Sequence, residues 1–134
     1  IEAAGLPVTV AAAARWHRAD GARAMAGLLA AGQRPDAVFC FNDPLALGAI
    51  RALTERGLRV PDDVAVIGVD DIEDGRYATP SLTTVRPDKE RIARLAVELL
   101  ADRLAGDRDT PPRALVAGHR LEIRESSAGR TQNV

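Results

Sequence analysis

Two apolar runs joined by a helix-like segment constrain the fold of this chain more than any other feature. The first run is "AVFCF" at residues 37–41, and the second is "VAVIGV" at residues 64–69. Neither run alternates apolar with polar residues, which is typical of strands covered on both faces of a parallel sheet. The segment between them has a helical apolar period, with Pro44 near its start and Gly57 at its end. A strand–helix–strand unit of this length predicts two parallel strands linked by a right-handed crossover.

Further periodic segments extend this unit on both sides. Asp20 is the predicted N-cap of the helix before it, and Asp88 that of the clearest helix in the chain. Either Asn42 or Asp43 is expected to cap the helix between the two apolar runs. The remaining predicted elements are an edge strand at 6–14, helices at 20–31 and 88–105, a short strand at 82–85 and one or two strands within 113–127. The predicted fold class is therefore α/β, a mostly parallel sheet flanked by helices.

Composition places the chain in one ordinary globular domain. It has 134 residues and a net charge of −1, with no basic stripe of the kind that holds a nucleic-acid backbone. The single cysteine, Cys40, excludes an internal disulfide and a multi-cysteine metal site, and it is predicted to be a packing residue. His17 and His119 stand too far apart in sequence to suggest a metal site. Because the chain begins with Ile1, we expect a fragment of a longer protein.

Polar pairs follow both apolar runs. Asn42 and Asp43 come after the first run, and Asp70 and Asp71 come after the second. Ligands of open parallel sheets bind outside the carboxyl ends of the strands, so these pairs are predicted to meet at one binding edge. The chain contains no GxGxxG, Walker-type or GxSxG motif, and no enzymatic activity and no cofactor are predicted.

Several chemistries remain open for that edge. A phosphoryl-accepting cluster would need a late lysine, but the only lysine, Lys89, begins the last clear helix. The carboxylates of Asp43, Asp70 and Asp71 could bind a hard cation such as Mg²⁺ or Ca²⁺. However, adjacent side chains on an extended chain point in opposite directions, so Asp70 and Asp71 rarely share one ion. An acid–base pair for glycoside hydrolysis would need a second wall across a cleft. The reading with most support is binding of a neutral ligand by hydrogen bonds, with Trp16 as a flat apolar surface.

Each of these residues also has a purely structural reading. Asp43 would serve only as a helix cap, Asp71 only as a loop former that bonds its own backbone, and Trp16 only as a core or lid residue. The sequence alone leaves both readings open.

The motifs "NDPLALG", "GLRVPDD", "VIGVDD", "PSLTTV" and "LEIRESS" occur in this order along the chain. In this order they resemble the effector-binding domain of LacI/GalR-type bacterial transcriptional repressors, which shares its type I fold with periplasmic sugar-binding proteins. The resemblance implies an incomplete C-terminal lobe formed by 1–85 and 112–127. It implies that the helix at 86–106 packs on an N-terminal lobe that the chain lacks. The opening strand of the lobe, a pocket arginine and the DNA-binding helix-turn-helix would lie upstream of Ile1.

The resemblance also implies roles for the polar residues. Asn42, Asp70 and Trp16 would contact the effector, while Asp43 and Asp71 would support the site as a cap and as a loop or hinge residue. Val69 departs from the family, which usually has Phe or Tyr at that position.

The function implied is sensing of a small effector, of the sugar class, by a cytoplasmic homodimer with no membrane contact. Operator DNA would be bound only through the absent domain. The alternative is the sugar-binding receptor of a periplasmic ABC transport system. The apolar stripe of the helix at 88–105 would be exposed in this chain alone, so we expect another copy to cover it, by packing or by domain swapping.

Overall fold

The computed structural model describes residues 4–106, 111 and 113–128. Its helices are α1 (Arg18–Ala30), α2 (Asp43–Glu55), α3 (Glu73–Arg76) and α4 (Lys89–Leu104), and its strands are β1 (Ala37–Phe39), β2 (Ala65–Val69), β3 (Thr83–Pro87) and β4 (His119–Glu122). The four strands form one sheet in the order β1-β2-β3-β4. The first three run parallel, and β4 is antiparallel to β3. The predicted α/β class with a mostly parallel sheet is confirmed.

The core lies between α2, α1 and one face of the sheet. Its buried members are Met25, Leu29, Ala46, Ala49, Ile50, Ala52, Leu53, Val64, Val66 and Leu82. α1 and α2 approach so closely that a Cβ on Gly48 would lie 1.9 Å from the carbonyl oxygen of Arg18. The predicted β1–α2–β2 unit is thus the packed centre of the domain.

The prediction that β1 and β2 are covered on both faces is wrong for the described residues. Cross-strand register places Phe39, Ile67, Val85 and Leu121 on one face of the sheet. Phe39 and Leu121 are each 52% exposed, and Phe41 beyond the end of β1 is 70% exposed. Val38 and Val66 on the other face pack into the core. An unbroken apolar run indicates that both faces of a strand would be more stable away from water. It does not identify the element that packs on the second face.

Two predicted boundaries at the start of the chain also differ from the structure. Residues 6–14 form no strand, because no described strand lies beside them and alanine is a poor strand former. α1 begins at Arg18 with His17 at the N-cap, so Asp20 is not the cap. Asp20 is instead buried in the first turn of the helix. There its negative charge interacts favourably with the positive end of the helix dipole, and its carboxylate pairs with Arg23.

α4 begins as predicted, since the Asp88 carboxylate accepts a hydrogen bond of 2.9 Å from the backbone N–H of Arg91. No residue of α4 is buried, and its exposed apolar residues include Ile92, Val97, Leu100 and Leu104.

α3, a single turn after Ile72, was not predicted. None of the helices in the described part of the chain is both long and apolar enough to cross a membrane.

Candidate functional site

The carboxyl ends of β1 and β2 bring the two predicted polar pairs to one edge of the sheet. Asn42 and Asp43 lie at the N-terminus of α2, while Asp70 and Asp71 form the turn between β2 and α3. The backbone N–H of Ile72 donates to Asp43 Oδ2 over 2.9 Å and so joins the two loops directly.

Asp43 is a buried tether between three elements. Its side chain is fully buried, and its Oδ1 accepts a 2.6 Å hydrogen bond from the hydroxyl of Thr84 on β3. A Cβ on Gly68 would lie 2.3 Å from Asp43 Oδ1, so glycine at this position of β2 makes room for the carboxylate. Burial raises the pKa of Asp43 and the charges of Asp70 and Asp71 raise it further, while the hydrogen bonds from Thr84 and Ile72 lower it.

The cap of α2 is Asn42 rather than Asp43. Asn42 Oδ1 accepts a 2.8 Å hydrogen bond from the backbone N–H of Leu45, which fulfils the N-cap role. Its Nδ2 donates to the carbonyl oxygen of Trp16 over 3.1 Å. Among the described residues, the Asn42 amide group makes no other donor contact, so one of its N–H groups can serve another partner. Trp16 is 62% exposed, so its indole is open to solvent.

Asp71 is enclosed by arginines. Arg124 donates to its Oδ1 and Arg76 to its Oδ2, both over 2.6 Å, and Arg86 lies 3.4 Å from Oδ2. Burial acts to raise the pKa of Asp71, but the hydrogen bonds and charges of Arg76 and Arg124 prevail and lower it. The carboxylate is therefore ionised at neutral pH and fully occupied by these partners.

Sequence reasoning missed both Arg76 and Arg124. Arg124 lies in "LEIRESS", one of the motifs that carry the family resemblance, and its place beside Asp71 depends on the β3–β4 pairing. Arg76 lies on the unpredicted helix α3. An ionised carboxylate is costly to bury without a paired charge, and this cost is the signal that could have prompted a search for arginines near Asp71.

Asp70 differs from its neighbours because its carboxylate makes no hydrogen bond or ion pair with any residue that the structure describes. The residue is partly buried, and its backbone N–H donates to the carbonyl oxygen of Val85 over 3.0 Å. Asp70 thus presents the one uncommitted carboxylate of the four polar side chains at this edge. No hydrogen bond links Trp16 to Asp70.

Other chemistries find less support at this edge. Within the described residues, no group of three or more His, Cys, Asp and Glu side chains is placed to hold a metal ion. Burial, together with the charge of Asp43, raises the pKa of the Cys40 thiol to about 11, so the thiol is protonated at neutral pH. A groove of about 430 Å³ lies between residues 11–14 and α1, and none of the four polar residues lines it.

Comparisons with known proteins agree on one family. A family model described as a periplasmic binding protein-like domain matches residues 1–127. The HTH-type transcriptional repressor PurR of Erwinia tasmaniensis is 52% identical over 90 residues, which make up 67% of this chain and 26% of that protein. The chain thus spans about a quarter of the length of this relative.

Solved structures show the same relationship. A putative LacI-family transcriptional regulator from Sanguibacter keddieii superposes with a TM-score of 0.87 at 52% identity, over 96% of this chain and 50% of that one. The complex of the transcriptional regulator CelR with cellobiose superposes with a TM-score of 0.85 at 37% identity. The match covers 94% of this chain and 39% of CelR. The lac repressor dimer bound to operator and an anti-inducer superposes with a TM-score of 0.75 at 33% identity. The match covers 84% of this chain and 38% of the repressor chain. The chain therefore belongs to the periplasmic binding protein-like family, and it is similar to part of several LacI-type transcriptional regulators.

Proposed function

We propose that this chain forms one wall of a cleft that binds a small effector, with Asp70, Asn42 and Trp16 as the contacting residues. The observation that carries the proposal is the uncommitted carboxylate of Asp70, at the sheet edge where open α/β sheets bind ligands. Asp43 and Asp71 support the site, since their own carboxylates are occupied by protein groups.

The three side chains suit a polyhydroxylated ligand. An ionised carboxylate accepts short, charge-assisted hydrogen bonds from hydroxyl groups, and the remaining N–H of Asn42 can donate one. The exposed indole of Trp16 offers a flat apolar surface for a sugar ring. The structure of CelR with cellobiose supports the sugar class for this chain.

The second wall of the cleft is proposed to come from an N-terminal lobe. α4 supports this division of the domain, because it has apolar residues on a surface that nothing in the described chain covers. We assign residues 1–85 and 112–127 to the C-terminal lobe and the helix within 86–106 to packing on the other lobe.

Effector binding would act by shifting a population of lobe arrangements. An effector that binds one arrangement better stabilises it, and this changes the affinity of a distant DNA-binding domain. That domain would be a helix-turn-helix, and the protein would act as a cytoplasmic homodimer. The PurR relative and the lac repressor dimer on its operator support this role over that of a transport receptor.

Replacing Asp70 tests the proposal in the intact protein. Calorimetric titration with a panel of cellobiose, lactose, monosaccharides and purine bases would first identify a binder. Asp70→Asn is then expected to weaken binding about tenfold or more, since a hydrogen bond to a charged group is worth roughly 1.5–3 kcal/mol.

Asp102→Asn is the matched control, because the Asp102 side chain is 57% exposed on α4 and pairs with Arg113. The affinity of the Asp102→Asn variant for the identified binder should equal that of the unaltered protein. Equal affinities for Asp70→Asn and the unaltered protein would remove Asp70 from the site.

A further inference from the structure

Asp70 and Asp71 share an unusual backbone conformation. Asp70 has φ of 114° and Asp71 has φ of 51°, so two consecutive residues with side chains lie in the region that glycine favours. Such conformations persist only where the surroundings impose them, and they cluster at functional sites. The groups that impose the conformation here can be identified.

The backbone of the turn is anchored at three successive amides. The N–H of Asp70 bonds to the carbonyl of Val85, that of Asp71 to the hydroxyl of Thr84 over 3.3 Å, and that of Ile72 to Asp43. These bonds fix the path of the chain across the ends of β2 and β3.

The side chain of Asp71 adds the charge-assisted contacts. Its carboxylate is 1% exposed and accepts from Arg124 and Arg76. Arg124 also donates from Nη1 to the carbonyl oxygen of Leu82 over 2.7 Å, so its guanidinium bridges the start of β3 and the turn. Charge-assisted bonds in a buried setting are stronger than the neutral amide contacts around them. Asp71 thereby links the turn to the segment that follows β4.

We propose that Asp71 and Arg124 are positioning residues, which hold Asp70 in the backbone conformation that presents its carboxylate to the effector. The inference rests on the proposed function, and it adds a cause for the geometry of the site. Neither residue needs to touch the effector. Loss of the Asp71 carboxylate should let Asp70 relax toward negative φ, which would move its side chain away from the binding edge.

Two substitutions at one position test the role of the carboxylate. Asp71→Ala and Asp71→Gly both remove the group that pairs with Arg124 and Arg76, and they differ because glycine tolerates positive φ at position 71. Since both variants lose the contacts that hold the turn, the expected affinity for the bound sugar is about tenfold weaker in each. Full affinity in either variant would overturn the proposal.

A double-mutant cycle tests whether Asp71 acts through Asp70. If it does, Asp71→Ala made in an Asp70→Asn background should weaken binding by no more than about twofold further. Additive losses would show that Asp71 acts on binding by another route. Thermal unfolding of each variant separates these effects from a general loss of stability.

Arg124 has a matched control on the neighbouring strand. Arg124→Gln should reproduce the loss of affinity, whereas Arg120→Gln should not, since Arg120 is exposed on β4 and pairs with Glu122. Equal affinities for the two glutamine variants would remove Arg124 from the proposal.

A readout without effector distinguishes failure of this inference from failure of the proposed function. The H–N/Hα coupling and Cα shifts of Asp70, measured by NMR, report φ at this residue directly. Positive φ at Asp70 should be lost in both Asp71→Ala and Asp71→Gly. Retention of positive φ in Asp71→Ala overturns the inference whether or not the panel contains a binder. Absence of sugar binding combined with loss of positive φ would contradict the sugar assignment and leave the positioning role supported.

Discussion

α2 and α4 are two amphipathic helices of similar pattern with opposite outcomes. α2 has eight buried residues, and Ala46 and Leu53 are fully removed from solvent. α4 is longer and also has an apolar stripe, yet none of its residues is buried. An apolar stripe therefore shows that a helix needs a partner surface, but the partner itself is a property of the assembled fold. In α2 the partners are α1 and the sheet.

Matched leucine truncations should give the largest contrast between the two helices. Leu53→Ala is expected to lower the free energy of unfolding by about 3 kcal/mol, because it opens a cavity in a fully buried site. Leu100→Ala in α4 should lower it by less than about 0.5 kcal/mol in this chain, since Leu100 is 58% exposed. Urea unfolding of both variants measures the difference.

The leucine experiment also tests what covers α4. In the intact protein, a second lobe packed on α4 should raise the cost of Leu100→Ala well above its value in the chain alone. Equal costs in the two contexts would contradict the proposed packing of α4.

Glycine substitutions test the close packing of α2 on α1. Gly48→Ala should destabilise the chain by about 2 kcal/mol, because the new methyl group would overlap the backbone of Arg18. Gly27→Ala in α1 is the counterpart, since no atom lies within 4 Å of its Cβ position. It should stabilise the chain by about 0.5–1 kcal/mol through helix propensity. Thermal melts would show opposite shifts, and a loss in both variants would contradict the assigned packing.

The buried carboxylates of Asp71 and Asp43 should affect the stability of the fold in opposite ways as the pH changes. The folded pKa of Asp71 is lowered below its unfolded value of 3.8, so its ion pairs stabilise the fold above about pH 4 and lose this effect as pH falls through the folded pKa. Asp43 has the opposite sign, because its raised pKa makes the fold less stable as pH rises above 3.8.

Asp71→Asn isolates the first of these contributions. It should reduce the free energy of unfolding by roughly 1–3 kcal/mol near pH 6, and the deficit should shrink below about pH 4. Asp102→Asn on α4 should change stability little at either pH, because the Asp102–Arg113 pair is exposed. A deficit for Asp71→Asn that is constant from pH 6 to pH 3 would contradict the pKa assignment.

Local signals in the sequence accounted for the centre of the fold. The apolar period, Pro44 and Gly57 located α2, and the two apolar runs located β1 and β2 within a few residues. Asp88 was identified as a cap because the capping bond lies within one turn of helix. These features depend on residues that are close in sequence.

Features that depend on distant residues were not predicted. The role of Asp43 as a tether requires Thr84 and Ile72, and the pairing of Asp71 requires Arg124, 53 residues further along the chain. The sequence located Asp70 at the strand end, but only the structure separates its uncommitted carboxylate from the occupied carboxylates of Asp43 and Asp71. The open face of the sheet was also missed, since an apolar run does not identify what covers it.

A crystal structure of the intact protein with the effector identified by titration would show directly whether Asp70 contacts the effector. We expect the effector in a cleft between two lobes, with the Asp70 carboxylate about 2.5–3.0 Å from a ligand hydroxyl or ring nitrogen. The Asp71 carboxylate should still be paired with Arg124. An effector bound elsewhere, or bound at this edge through Asp43 or Asp71 with Asp70 directed into solvent, would contradict this expectation.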